Sequence, residues 1–371
     1  MTNTDFIPVS QPFIDDSAKA LVMDCLDSGW ISSQGAYVTQ FENDFAAYIG
    51  AEFAISVTSG TAALHLALIA IGIGPGDEVI VPDLTFAATA NAVLLCGAKP
   101  VLCAIDEDTW TLDVQDCQQL VTSNTKAIIP VHLYGNPADM KAITHLAGEH
   151  GITVIEDCAE SLGASVDDQY TGTMGEMGCF SFFANKLLST GEGGMVTTND
   201  AELAKKLRIL RDHGMAPGKK YWHDLAGLNY RMTNIQAAIG VSQLALLDEF
   251  TRLRGEQERL YRQHLEGVFG IVFKSVLNGA TSVNWLMSIR VDAENKSAES
   301  LRTWLAEHQV DSRPFFFPLH EQPPYRDERS ALKATKTLSD SGLSLPTFIG
   351  LSNEQITRIC ELIKRYMGQE A

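Results

Sequence analysis

A lysine placed just after an apolar strand and just before a glycine turn is costly to keep charged, because burial disfavours the ammonium. Lys186 has that setting, in Cys179-Phe-Ser-Phe-Phe-Ala-Asn-Lys-Leu-Leu-Ser-Thr-Gly-Glu-Gly-Gly194. As a free amine such a side chain can form an imine with a carbonyl compound or act as a base. The same pattern also suits a lysine at a strand end whose head group reaches water. A second segment, Thr153-Val-Ile-Glu-Asp-Cys-Ala-Glu160, ends an apolar run on Glu156 and Asp157. Ligands of open α/β sheets bind beyond the carboxyl ends of the strands, so a carboxylate there can hold a protonated ring nitrogen. Asp157 would serve equally well as a helix N-cap.

A third segment, Thr58-Ser-Gly-Thr61, joins a predicted strand to a predicted helix. The free N–H groups and dipole of a helix start suit a phosphate, and Ser59 and Thr61 add hydroxyls. A plain serine cap followed by glycine reads the same way. It is not a P-loop, because G-x-x-x-x-G-K-[ST] is absent. Gly72-Ile-Gly-Pro-Gly76 lies after a helix and before a strand, the wrong order for a dinucleotide fingerprint, and reads as a connecting turn. The histidines form no H-x-x-x-H pair and the cysteines no C-x-x-C, so no metal site is expected. Ser181 is outside any G-x-S-x-G elbow, which leaves little for a hydrolase.

These segments need elements to hold them. Helices are predicted from about Asp16 to Asp27, stopping before Gly29, and around Phe41, Phe45 and Tyr48, stopping at Gly50. A βα rhythm follows. The predicted strands are Phe53–Val57, Glu78–Val81, Pro100–Ile105, Ala127–Val131 and Thr153–Glu156, with helices at Ala62–Ile71, Phe86–Leu95 and Asp139–His150. Short apolar runs alternating with helices imply an α/β fold with a mostly parallel sheet flanked by helices. Cys179–Phe183 and Gly194–Thr198 read as two further strands. One long helical region is predicted from Thr233 to His264, with Leu244, Leu247, Phe250 and Leu253 as its stripe. Weak strands at Val272–Lys274 and Trp285–Val291, with helices Glu299–His308 and Glu354–Tyr366, suggest a smaller α+β end. At ~150 residues per domain, two domains are expected: residues 1–250 and 251–371.

Among 371 residues, 28 Lys and Arg face 46 Asp and Glu, a net charge of −18. That excludes a general nucleic-acid binder and disfavours an anionic membrane surface. It leaves room for one small anion in a local pocket. The seven cysteines are scattered, which fits reduced thiols in the cytoplasm. No signal peptide is visible at the start, and no apolar run approaches the ~18–20 residues of a membrane span.

Seven stretches, spread over almost the whole chain, act together: Thr58-Ser-Gly-Thr-Ala-Ala-Leu, Gly76-Asp-Glu-Val-Ile-Val-Pro, Pro130-Val-His-Leu-Tyr-Gly, Ile155-Glu-Asp-Cys-Ala-Glu, Phe180-Ser-Phe-Phe-Ala-Asn-Lys, Gly191-Glu-Gly-Gly and Leu228-Asn-Tyr-Arg-Met-Thr-Asn234. With them the chain resembles the pyridoxal-phosphate (PLP) sugar aminotransferases of the DegT/StrS type. The resemblance implies an aspartate-aminotransferase-like fold: a large PLP-binding domain, a small C-terminal one, and an N-terminal segment able to pack on the latter. It implies that Lys186 carries the cofactor and later shuttles a proton. Asp157 would keep the ring nitrogen protonated. Ser59, Gly60, Thr61 and Ser181 would bind the phosphate, and Phe86 would stack on the ring. Glu160, where many relatives have Gln, would lie near the ring hydroxyl or the substrate. Asn229 would reach the cofactor phosphate of a partner subunit, which makes an obligatory homodimer with shared sites. Arg231 would lie nearby or be structural.

The related dehydratases have His in place of the lysine, so Lys186 favours transamination. The resemblance further implies L-glutamate as donor, pyridoxamine phosphate in the cycle, and a nucleotide-linked 4-keto-6-deoxy sugar as acceptor. Ser28-Gly-Trp-Ile-Ser-Ser33, Tyr221-Trp-His-Asp224 and Ser312-Arg-Pro-Phe-Phe-Phe-Pro-Leu-His320 favour GDP-4-keto-6-deoxymannose, with Arg313 and His320 as candidate substrate contacts. UDP-, dTDP- and non-nucleotide acceptors are the alternatives, as is a PLP-binding regulatory protein without turnover. The implied setting is the building of a surface glycan such as the O-antigen of lipopolysaccharide. Of the aromatics Phe315, Phe316, Phe317 and Tyr325, at least two are expected in a core.

Overall fold

The computed structural model describes residues 6–369. Its central sheet has seven strands in the order Phe53–Val57, Gly194–Thr198, Met177–Ser181, Thr153–Asp157, Thr125–Ile128, Glu78–Pro82 and Lys99–Cys103. The five from Met177–Ser181 onward run parallel, and Gly194–Thr198 is antiparallel to both of its neighbours. The pleat sends successive side chains to opposite faces. Val79 and Val81 therefore join one core with Leu64, Leu66 and Leu68 of the helix Gly60–Ala70. Ile80, Ile128 and Val154 join another with Ile143 and Leu146 of the helix Met140–His150. Both faces are covered, which is why the strands read as continuous apolar runs.

A second sheet, antiparallel throughout, has the order Ile271–Val272, Met287–Val291, Gly342–Leu345 and Arg313–Pro314. Its core packs Ile289, Leu343 and Leu345 against the helices Ala298–Glu307 and Asn353–Met367. Ile7, near the start of the chain, lies in that same core, and its N–H donates to the Gln309 carbonyl at 2.9 Å.

The long helix expected from Thr233 to His264 is two helices, Asn234–Leu244 and Leu247–Leu265. Leu246 leaves helical geometry (φ −105°, ψ 2°) because the two halves answer to different partners. The first packs on the helices Asp16–Ser28 and Ala36–Ile49. The second places Leu247 and Phe250 beside Phe41 and Phe45, and Tyr261 and Leu265 in the core of the small sheet. Leu253 is only half-buried; the stripe instead runs through Arg254 and Gln257. Several strands are shifted from their predicted positions, Pro100–Ile105 to Lys99–Cys103 and Val272–Lys274 to Ile271–Val272 among them. The ladder of Met177–Ser181 ends where its pairing with Gly194–Thr198 ends, so Phe182 and Phe183 belong to the following loop. Thr125–Ile128 likewise starts and stops earlier than Ala127–Val131. Among the described residues, no helix is long and apolar enough to cross a membrane.

Candidate active site

At the carboxyl ends of the central strands a cavity of ≈ 440 Å³ opens, with Arg313 and Phe316 of the small-sheet region on one wall. It brings together Ser59, Gly60, Thr61, Phe86, Asp157, Glu160, Ser181, Lys186 and Arg313. Asn229 and His320 do not line it.

The sequence around Asp157 places two carboxylates by alternation along one strand. Asp157 faces the cavity; Glu156 faces the other way, where it is fully buried and accepts from Gly172, Met174 and Gly175 N–H groups and pairs with His132 Nε2 at 3.0 Å. His132 Nδ1 accepts from the Ala138 N–H, so Nε2 carries the proton donated to Glu156. His132, Glu156 and Cys158 lie close enough together to suggest a metal cluster, but these donors already satisfy the carboxylate. Asp157 accepts from the Thr89 hydroxyl at 2.9 Å and the Ala159 N–H at 3.1 Å, and no cation among the described residues pairs with it. Burial pushes its carboxyl up, against the pull of those two hydrogen bonds.

Lys186 stands on the loop after the strand Met177–Ser181. Its ammonium lies 3.6 Å from Glu160 Oε1 and 3.9 Å above the centre of the Trp285 ring. Burial lowers the amine, and the Glu160 and Asp157 carboxylates oppose that shift. Glu160 is pushed up to about 7 by burial, against the attraction of Lys186 and a 2.8 Å hydrogen bond from the Tyr134 N–H. An amine whose charge burial disfavours and a carboxyl that titrates near neutrality, side by side in a cavity, suit proton transfer.

At the other end Ser59 caps the helix Gly60–Ala70, its hydroxyl accepting from the Ala62 N–H at 3.1 Å. The next N–H groups, of Gly60 and Thr61, have no intrahelical partner, as at any helix start. A Cβ on Gly60 would come within 2.7 Å of Ser181 Cβ, so only glycine lets the two segments close. Phe86 is 62% exposed, its ring free to cover a ligand. A carboxylate without a cation, an amine beside it, and a helix start with hydroxyls fit the ring nitrogen, the aldehyde and the phosphate of PLP.

His320, the other candidate substrate contact, is tied down at one ring nitrogen. Its Nδ1 lies 2.6 Å from the fully buried Asp83, which also accepts its backbone N–H. That carboxylate fixes the ring, and His320 is not among the residues lining the cavity. Arg313 lines the cavity, and its guanidinium has no hydrogen bond or ion pair to another described residue, which leaves it available to an anion. Arg231 is bound to Asp212 (2.7 Å) and Asn229 (3.1 Å), and Asn229 is exposed. Phe315 and Tyr325 are core residues as expected; Phe316 lines the cavity and Phe317 is exposed.

Three contributors are not assigned a role by sequence reasoning. Thr89, one helical turn after Phe86, holds Asp157. Tyr134, inside the quoted Pro130–Gly135 stretch, supplies the N–H to Glu160. Trp285 arrives from the bend just before the remote strand Met287–Val291, and its Nε1 donates to the Asn185 carbonyl at 3.0 Å.

The parallel sheet, the lysine on its loop and the isolated carboxylate define a PLP-dependent transaminase. Residues 12–364 match the DegT/DnrJ/EryC1/StrS aminotransferase family, to which the chain belongs. It is 43% identical over 365 residues to a GDP-perosamine synthase of Escherichia coli O157:H7, covering 98% of this chain and 100% of that one. It is 44% identical over 362 residues to a GDP-perosamine synthase of Caulobacter vibrioides, covering 97% and 98%. Among solved structures it resembles Spr1654 of Streptococcus pneumoniae in its PLP form, with TM-score 0.92, 28% identity, and 98% and 99% coverage.

Proposed function

We propose that the chain transfers the amino group of L-glutamate to C4 of GDP-4-keto-6-deoxymannose, giving GDP-perosamine. The carrying observation is the identity above 40% over nearly the full length to proteins named for that product. Bound PLP supplies an electron sink for the bond broken at the substrate carbon. The residues of this chain do the rest. Lys186 holds the cofactor and, released as a free amine, moves the proton to and from the reacting carbon. Asp157 accepts the ring N–H, and Thr89 keeps it aimed. Gly60 and Thr61 N–H groups, with the Ser59 and Ser181 hydroxyls, hold the phosphate, and Phe86 covers the ring. Arg313 meets an anionic part of the substrate.

The active form is a cytoplasmic homodimer in which exposed Asn229 reaches the partner's cofactor phosphate. Exposed Trp30, Phe183, Trp222 and Leu225 offer apolar surface for that interface. All seven cysteines are free, in keeping with a reducing compartment.

A ligand that binds only the folded state raises the unfolding temperature. GDP is therefore expected to raise the unfolding temperature of the PLP-loaded protein, and equimolar UDP or dTDP to raise it less. Equal protection by all three nucleotides, or protection by UDP alone, would sink the guanine assignment.

A further inference from the structure

Lys274 is buried, and among the described residues its ammonium donates to one group, the Tyr134 carbonyl, at 2.5 Å. Burying a lysine without a contacting carboxylate is costly. The acceptor it reaches is unusual too. Tyr134 has φ 51° and ψ 31°, left-handed backbone that a bulky side chain rarely adopts. At the next residue, Gly135, a Cβ would lie 1.9 Å from the Val283 carbonyl oxygen. The segment that carries Lys274 therefore presses on this turn and grips it, and the Ser282 hydroxyl donates to the Gly135 carbonyl at 2.9 Å.

The turn meets the active site twice. The Tyr134 N–H donates to Glu160 at 2.8 Å, and Glu160 faces Lys186. The Tyr134 ring lies nearly parallel to Trp285, on whose face the Lys186 ammonium rests. We propose that Lys274 is a positioning residue: by holding the Leu133–Gly135 turn it fixes Glu160 against Lys186 and so sets the protonation of the pair.

The charges around Glu160 agree. It is faced by Lys186, by Asp157, by the Tyr134 phenol and by Lys274, while Arg313 acts on Lys186 from the opposite wall. Burial lowers Lys274 to about 8, with Glu258 and Glu160 opposing the shift and Arg262 adding to it. At neutral pH it remains mostly cationic and favours the Glu160 carboxylate. Removing it takes away that charge and loosens the Tyr134 N–H. Both changes disfavour the carboxylate, so the Glu160 midpoint should move up.

This inference rests on Lys186 being the PLP-carrying amine, and the test separates the two. Full-length protein freed of cofactor is mixed with PLP across a pH series. Capture at Lys186 is trapped with borohydride and located by peptide mass spectrometry. Wild type should show an inflection near 7. Lys274→Met should move it up, and Glu160→Gln should abolish it. Lys274→Met in the Glu160→Gln background should change nothing further, an outcome that a purely structural role for Lys274 does not give. Should Lys274→Met fail to fold, Lys274→Gln, which keeps a donor but no charge, must also shift the midpoint up. An unshifted inflection in the variant that folds overturns the inference, as does a Lys274→Met effect that persists undiminished without Glu160. No capture at Lys186 in wild type would overturn the lysine assignment itself.

Discussion

Lys186→Ala should lower kcat by more than about 10³-fold, since the variant loses both its covalent hold on the cofactor and its proton carrier. Lys186→Arg should be as inactive. Arginine keeps a cation over Trp285 and beside Glu160, but it is never a free base near neutral pH. The pair of variants therefore separates the amine's chemistry from its charge. Lys186→Ala should not unfold the protein, because burial already disfavours the charged lysine. Both should still bind PLP non-covalently through the helix start and Asp157, and Lys186→Ala should retain the aminated product. Wild-type-like steady-state turnover in either variant would remove Lys186 from the mechanism.

Asp157→Asn should lower kcat/KM on the order of 10²–10³-fold, the usual loss when a preorganised electrostatic partner is neutralised. The amide keeps the size of the side chain, and the Thr89 hydroxyl can turn to accept from it, so packing is kept. The effect on stability should have the opposite sign to the effect on activity. Burial raises the Asp157 carboxyl above its unfolded value. Its contribution to stability is thus fully present below the unfolded pKa and lost as pH rises through the folded one. At neutral pH the cofactor-free protein bears that loss, and an amide does not. The cofactor-free variant should melt no lower than wild type near pH 7, while turning over poorly. A variant with near wild-type kcat/KM, or one whose loss of rate follows a falling melting temperature, would show Asp157 to be a structural cap.

Lys186, Asp157 and the Ser59 turn are legible in the sequence because each stands where an apolar strand gives way to a loop. There, residue type and local pattern carry the same message. The same holds for Phe53–Val57 and Gly194–Thr198, whose strands match the reading residue for residue. What escapes a linear reading depends on chain segments that meet from far apart. Trp285 reaches Lys186 only because the strand Met287–Val291 belongs to another sheet. That buried Asp83, far back in the sequence, fixes the His320 ring is likewise invisible locally. The break at Ala245–Leu246 carries no proline or glycine; two different packing partners impose it. The helix Ala201–Arg211 is a different case, since Asp200 caps two N–H groups and Arg208 and Arg211 fill the last turn, signals that are local and readable.

The function rests on two half-reactions at one lysine, and a single absorbance experiment follows both. Protein loaded with PLP is scanned in the visible, then given L-glutamate, then GDP-4-keto-6-deoxymannose. The band of the lysine-bound cofactor should disappear with glutamate and return with the keto sugar. A band that glutamate leaves untouched would overturn the transaminase reading with this donor, and a band that disappears but does not return would overturn the proposed acceptor.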